Sequence, residues 1–253
     1  MDNIVITGSR GFVGMNLMRM LESIHIPYEE VDLVIGKSLK DLVGRHGTLI
    51  HLAAWRNEAE SFWQAEKYIE NNVINLASIL TKNHFAKVIF PSSSAVYNDQ
   101  GYLEPYSIYG LTKLFGEKLI RMYNEKHYIF RIFQPYGPGD TNSVFYKMAQ
   151  CKSQNQTFRL YSCKEIKRDY FHVDHVCNTI VLALNDVLEA GTYNVGSGKI
   201  VYVSEFLRKI CEKYKIKYKI ITPPVGTSLG FIPKSDYIYG DQGDLEEEWK
   251  KYL

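Results

Sequence analysis

Short runs rich in β-branched residues alternate with segments of helical period along the first half of this chain. Asn3–Thr7 reads as a buried strand. A glycine-punctuated turn, Gly8-Ser9-Arg10-Gly11-Phe12-Val13-Gly14, follows, and then a helical pattern with Phe12, Leu17, Met20 and Leu21 apolar. Tyr28–Val34 reads as a second strand, Leu39–Val43 as a short helix and Thr48–Ala53 as another buried strand. Ser61–Leu80 has one apolar side, made by Tyr68, Ile69, Val73, Leu76 and Leu80, and predicts one long amphipathic helix. Lys87–Phe90 is a strand ending at Pro91 and the serines, Tyr106–Asn124 a helix and His127–Phe133 a strand. Strands alternating with helices imply a parallel sheet covered on both faces.

Beyond Gln134-Pro135-Tyr136-Gly137-Pro138-Gly139-Asp140 the elements are shorter. A helix at Ser143–Lys152 and a strand at Phe158–Tyr161 precede a strand plus helix at Tyr170–Leu184. Tyr193–Gly198, a helix at Ser204–Tyr214 and a strand at Tyr218–Ile221 come next, then a loop-rich tail at Thr222–Gly240 and a closing helix at Leu245–Leu253. The expected fold is α/β: a Rossmann-type doubly wound parallel sheet with a small, partly interleaved C-terminal substrate domain. The boundaries expected are 1–135 for the dinucleotide-binding domain, with 166–185 returning to it, and 136–165 plus 186–253 for the small domain.

Composition alters this picture little. The chain has 253 residues, enough for one large domain or two small ones, with 45% hydrophobic and 23% charged residues. A formal net charge of +2 gives no reason to expect nucleic acid or an anionic membrane as a partner. The basic stretch Lys209–Lys219 alternates with Ile and Tyr and reads as a helix end and a strand, each with a solvated face. Cys151, Cys163, Cys177 and Cys211 are scattered, with neither Cys-x-x-Cys nor Cys/His metal spacing. Thiols in a reducing compartment and no metal site are therefore expected. Without a signal-peptide pattern or a membrane-length apolar run, the expected location is the cytoplasm.

Gly8, Gly11 and Gly14 stand three apart directly after a strand. Such a turn opens a nucleotide-binding βαβ unit: one glycine permits the turn, one lets a pyrophosphate approach the backbone, and one lets helix and strand pack closely. The helix N-terminus adds unpaired N–H groups for the phosphates. Asp32, at the end of the second strand, is placed to accept hydrogen bonds from an adenosine ribose, which favours NAD. Arg10, inside the turn, suits a 2′-phosphate and favours NADP, so both cofactors stay open. Tyr109 and Lys113 stand four apart on one helical face, where an ammonium would lower the phenol's pKa and ready it for proton transfer. With 19 tyrosines in the chain such a pair arises easily by chance, and its weight depends on the motifs around it.

Those motifs occur in a recognisable order: Thr7-Gly-Ser-Arg-Gly-Phe-Val-Gly14, His51-Leu-Ala-Ala54, Pro91-Ser-Ser-Ser-Ala-Val-Tyr97, Tyr109-Gly-Leu-Thr-Lys113, Tyr136-Gly-Pro-Gly139 and Arg168-Asp-Tyr-Phe-His-Val-Asp174. As a set, from residue 2 to about 198, they resemble the extended short-chain dehydrogenase/reductase family, in its NAD-dependent epimerase/dehydratase branch acting on nucleotide sugars. The resemblance implies that Ser93, Tyr109 and Lys113 are catalytic. It implies that Gly8, Ser9, Arg10, Gly11, Phe12, Val13, Gly14, Asp32, Leu52, Ala53, Ala54, Asn72, Tyr109 and Lys113 meet the cofactor. Ser94, Gln134 and Arg168 are the substrate contacts it implies, with Arg168 on the pyrophosphate.

Departures from the family pattern narrow the reaction. Gln134 stands where asparagine is common, Asn75-Leu76 replaces a frequent Gly-Thr pair, and the region between Asp32 and Leu49 is short. Family dehydratases carry Asp-Glu where this chain has Ser94-Ala95, and the fucose-pathway epimerase/reductases carry cysteine at Ala95. The reading that remains is hydride reduction of a nucleotide-linked 4-keto sugar with Tyr109 as proton donor, with a C4 epimerase as the alternative. A catalytically idle sensor or scaffold that binds NAD or NADP is the reading from another class. A homodimer formed through the helices bearing Asn72 and Tyr109 is also expected from the resemblance. His172 and Asp174 read as a cap at a strand-to-helix junction, while Tyr97 and Tyr102 either stack on substrate or pack.

Overall fold

The computed structural model describes residues 3–31, 43–223, 227–233, 237–240 and 243–251. Its frame is a seven-stranded parallel sheet built from β1 (Ile4–Thr7), β2 (Glu29–Val31), β3 (His46–His51), β4 (His84–Ser93), β5 (His127–Ile132), β10 (Gly191–Gly196) and β13 (Tyr237–Tyr239). The spatial order is β13-β10-β5-β4-β3-β1-β2. Strand residues alternate between two apolar layers, as the pleat requires. Ile4, Ile6, Ile50 and Ile89 join Leu17 and Leu21 of α1 (Phe12–Ser23) and Val176 and Ile180 of α7 (Val173–Leu184) in one core. Val5, Leu49, Val88 and Phe90 face the other way, onto Leu76 and Ile79 of α4 (Asn75–Lys82) and Ile120 of α5 (Ile108–Tyr123).

A smaller third core carries the substrate-side elements. Tyr136 of β6 (Gln134–Tyr136), Phe145 and Met148 of α6 (Val144–Ser153), Leu160 of β7 (Phe158–Tyr161) and Tyr170 of β9 (Tyr170–His172) pack there. Leu207 and Ile210 of α8 (Val203–Lys213) and Trp249 of α9 (Leu245–Lys250) complete it. Short two-stranded pairings brace the region: β6 with β9, β7 with β12 (Tyr218–Ile221), and β8 (Lys167–Arg168) with β11 (Val201–Tyr202).

Three expectations need correction. The long helix expected over Ser61–Leu80 is broken into α2 (Glu58–Ser61), α3 (Ala65–Ile69), a π turn at Glu70–Ile74, and α4. Asn57 caps α2 by accepting from the Glu60 N–H, the chain leaves helical geometry at Gln64 (φ −127°), and the π turn buries Asn72. The strand expected at Lys87–Phe90 is longer at both ends: β4 starts at His84 and takes in Pro91 and two of the serines, with Pro91 opposite Phe130 of β5. β10 and β13, from stretches expected in the small domain and the tail loop, extend the large sheet beyond β5 instead. The expected helix at Leu39–Val43 and the end of the second strand, including Asp32, lie mostly or wholly outside the described residues.

Candidate active site

β2 and β3 flank β1 on opposite sides, so the chain reverses its direction of travel across the sheet there. A crevice outside the strand carboxyl ends at such a point is where open α/β sheets take ligands. Gly8 turns the chain into it with φ +73°, and a Cβ there would lie 2.5 Å from the Ala53 backbone nitrogen. Gly14 packs against the Gly8 and Ser9 carbonyls, leaving no room for a side chain. Gly11 is the N-cap of α1 and puts no side chain on its first N–H groups; a Cβ there would approach only the Gly8 carbonyl, at 3.3 Å. Beside it the Ser9 hydroxyl is buried without a hydrogen-bond partner among the described residues. Uncapped N–H groups and an orphaned hydroxyl, beside a Gly11 that puts no side chain over them, fit a dinucleotide's diphosphate. Arg10 stands exposed on the same turn.

The neighbouring strand end is held by a polar chain. Thr7 Oγ1 and His51 Nδ1 are 2.8 Å apart, and burial pushes His51 down to about 3, so the ring is neutral. Leu52, Ala53 and Ala54 follow, half-buried, with Leu52 N–H donating to the Thr7 carbonyl at 3.0 Å. Asn72, turned inward by the π turn, accepts from Trp55 N–H (2.8 Å) and donates to Trp55 O (2.9 Å) and Thr112 Oγ1 (3.0 Å). Its amide thus fastens the loop after β3 to α5.

At the end of β4, Ser93 accepts from Ala95 N–H at 3.1 Å, and its hydroxyl is close enough to the Tyr109 phenol of α5 to favour the ionised form. Ser107 starts α5 by accepting from Gly110 N–H at 3.0 Å, and Gly110 sits against the Ala95 carbonyl, closer than any Cβ would permit. That close approach sets the tyrosine beside the serine. The Lys113 ammonium, one turn along, donates to the Pro91 carbonyl at 2.7 Å and lies 4.5 Å from the centroid of the Phe90 ring.

The electrostatics differ from the sequence expectation. Burial pushes the Tyr109 phenol up, to about 12, and the Ser93 hydroxyl opposes that only in part. Lys113 is not among the groups that act on the phenol; burial pulls the ammonium itself down to about 7, against the pull of Glu117. The tyrosine–lysine pair shares a helix face, but the lysine is spent on a backbone carbonyl rather than on the phenolate.

A cleft opens beside Ser94 and Ala95, lined also by Glu58, Gln134, Arg168 and Phe231. The three expected substrate contacts therefore share one wall. Arg168 donates to the carbonyls of Lys167 (2.7 Å) and Ser228 (3.2 Å), and Gln134 N–H donates to Asp169 O at 3.0 Å. Asp99 draws the tail across the opening, accepting from Ser228 Oγ (2.9 Å) and Gly230 N–H (3.0 Å). Tyr97 also lines the cleft, but its hydroxyl donates to Asn194 Oδ1 (2.9 Å) and accepts from Arg131 Nη1 (2.8 Å), and its ring tilts against Phe231. Tyr102 is largely exposed and lies apart from that lining. His172 Nδ1 accepts from Asp174 N–H at 3.3 Å, which makes the pair a cap at the start of α7.

Sequence reasoning missed Glu58, Arg56 and Asp99. Glu58 reads as an ordinary acidic first-turn residue after an Asn cap, and nothing in the sequence shows that α2 brings it within electrostatic reach of Arg168 and Tyr109. Arg56, paired with Asp140 at 3.3 Å and lying 5.5 Å from the Phe12 ring centroid, also acts on Tyr109.

Comparison with known proteins agrees with this layout. The NAD dependent epimerase/dehydratase family model matches residues 4–196. A putative UDP-glucose 4-epimerase of Methanocaldococcus jannaschii is 26% identical, over 96% of this chain and 90% of its own. The dTDP-4-dehydro-6-deoxyglucose reductase of Escherichia coli is 24% identical, over 87% and 84%. Among solved structures, MoeE5 in complex with UDP-glucose and NAD superimposes with a TM-score of 0.81 at 21% identity, covering 98% of each chain. The glycine turn at the sheet's switch point, the serine–tyrosine pair and a family match over most of the chain lead to one conclusion: the protein belongs to the NAD dependent epimerase/dehydratase family.

Proposed function

We propose that the protein oxidises and re-reduces a carbinol carbon of a nucleotide-linked sugar, with inversion at C4 as the net reaction. The observation that carries this reading is the Ser93 hydroxyl set beside the Tyr109 phenol at the end of β4, next to a cleft that offers Gln134 and Arg168. The glycine turn, Ser9 and the uncapped start of α1 would hold the dinucleotide, with Leu52, Ala53 and Ala54 along its side and Lys113 reaching its ribose. NAD supplies the hydride acceptor and donor when bound. Ser93 holds the substrate oxygen by a hydrogen bond, and Tyr109 takes the proton from that oxygen and later returns it. Arg168 meets the diphosphate with its guanidinium.

MoeE5 binds UDP-glucose with NAD, and relatives include epimerases whose cofactor would return to its starting state each cycle. A second reading, net reduction of a 4-keto sugar, rests on the Escherichia coli reductase and on Ser94-Ala95, which adds no acid at that position. The deciding experiment follows UDP-glucose and UDP-galactose interconversion by NAD-loaded protein without added reductant. Interconversion supports epimerisation. Consumption of NADH or NADPH only with a 4-keto sugar establishes the second reading, and neither activity with UDP-, dTDP- or GDP-sugars overturns both. Ile69, Ile74, Leu111 and Phe115 are exposed on the helices bearing Asn72 and Tyr109, which supports a homodimer there; light scattering reads the mass directly.

A further inference from the structure

Two carboxylates line the cleft, and they differ in one respect. Asp169 is fully buried and committed, accepting from the N–H groups of Ser197 and Gly198, both at 2.9 Å, and from the Ser197 hydroxyl. Glu58 stands open to the cleft on α2, and its carboxylate makes no hydrogen bond or ion pair among the described residues. It shares the cleft lining with Arg168 and lies within electrostatic reach of both that guanidinium and the Tyr109 phenol. Arg168 and Lys167 supply positive charge to the cleft, and the Arg168 guanidinium lies under the tail at Ser228. A diphosphate would engage those cations, leaving Glu58 as the uncompensated charge beside the sugar. Packing around Glu58 holds its carboxyl above the usual range, as expected of a group short of donors.

We infer that Glu58 is a specificity-determining residue: its carboxyl accepts hydrogen bonds from hydroxyl or ammonium groups of the sugar and rejects sugars that carry a carboxylate. Two like charges in a partly desolvated cleft repel strongly, whereas a hydroxyl satisfies the acceptor Glu58 presents. Relatives in this fold need not share the restriction, since MoeE5 is also seen in complex with UDP-glucuronic acid and NAD. The inference rests on the nucleotide-sugar reading of the same cleft.

The test compares a hexose with its hexuronate, which differ at C6 as CH₂OH and COO⁻. Dissociation constants for UDP-glucose and UDP-glucuronate are measured by calorimetry on NAD-loaded wild type, Glu58→Gln and Glu58→Ala. The matching dTDP or GDP pair is used if the wild type binds only that nucleotide. Wild type should favour the hexose by roughly tenfold or more. Glu58→Gln, which keeps an acceptor and removes the charge, should bring the ratio to within about threefold, mainly by tighter hexuronate binding. Glu58→Ala should lose affinity for the hexose as well. Thermal melting and retained NAD confirm that both variants fold. Equal binding of the two sugars by wild type, or an unchanged ratio in Glu58→Gln, overturns the inference and leaves the functional reading standing. Failure of the wild type to bind any nucleotide sugar overturns the functional reading, and this inference with it.

Discussion

Lys87, near the start of β4, and Lys113, beside its end, are equally buried lysines at opposite ends of one strand. The Lys87 ammonium is fully engaged: it donates to the Ala183 and Leu184 carbonyls at the end of α7 (3.0 and 2.7 Å) and pairs with Asp186 at 2.5 Å. A cation there suits the helix dipole. Lys113 has one carbonyl and an aromatic face, with no carboxylate in ion-pair contact among the described residues. Two of the three buried polar atoms without a partner among the described residues, Ser9 Oγ and His51 Nε2, also lie at this carboxyl end. The amino end of the sheet is electrostatically finished, and the carboxyl end is left short of partners. Stability is concentrated where polar groups are satisfied, and binding where they are not.

Substitutions at the two ends should therefore fail in opposite ways. Tyr109→Phe has the largest expected effect, a loss of about 10²–10⁴ in turnover with NAD still bound. Near-normal turnover in that variant would remove the proposed mechanism. Lys113→Met should weaken NAD binding by about 10–100-fold, the worth of a charge-assisted hydrogen bond, while raising the Tm of the cofactor-free protein by about 3 °C. Titration with NAD and a melting scan read the two effects separately, and a fall in Tm would erase the contrast with Lys87. Lys87→Met should do the reverse. It should cost about 2 kcal/mol of stability by orphaning two helix-end carbonyls, and leave kcat and KM near wild type.

The smallest effects lie in pH dependence. Asp186 is held down, to about 2, by hydrogen bonds from Lys87 and Lys126. Its contribution is present above its ordinary value near 4 and is lost as pH falls toward 2, so Asp186→Asn should flatten the acid limb of a stability profile. Lys113, lowered to about 7, acts in a higher pH range, and there it is the charged form that costs stability. Below pH 7 the folded protein buries an ammonium at a cost. Between about 7 and 10.5 the unfolded chain holds the extra proton, so stability rises with pH. Lys113→Met should remove that rise, and urea titrations at pH 6, 8 and 9.5 would show whether it does.

Much of this contrast was legible in the residues, and the limits have physical causes. The glycine turn announces itself because steric demands at Gly8 and Gly14 exclude every other residue, and the order of strands and helices follows from apolar periodicity. The strand at Phe158–Tyr161 and the strand-to-helix junction at His172 fall where periodicity and capping chemistry put them. The π turn was invisible, because an extra residue in a helical turn leaves the amphipathic pattern nearly intact. Strand β13 was hidden in a tail of turn-forming residues and gains its structure by pairing with β10. The misreading of Tyr109 has a different origin. Spacing on a helix says which residues share a face, but how far each is desolvated depends on β4 and on the loop after β3. Glu58 was missed for the same reason, since its neighbours in the cleft, from Ser94 to Arg168, come from distant parts of the sequence.

The π turn at Glu70–Ile74 gives this stretch an unusual relation to insertions and deletions. Removing one residue there would restore an ordinary helix and turn everything downstream by about 100° about its axis. Leu76, Ile79 and Leu80 would swing away from the sheet they now cover. The Asn72 amide would no longer reach both Trp55 and Thr112. Point substitutions on the outer side of this helix should be tolerated freely, whereas a change in its residue count should not. The segment is fixed in length more tightly than in identity, and related chains that keep this geometry should show a gap-free alignment across it even where hardly a side chain agrees.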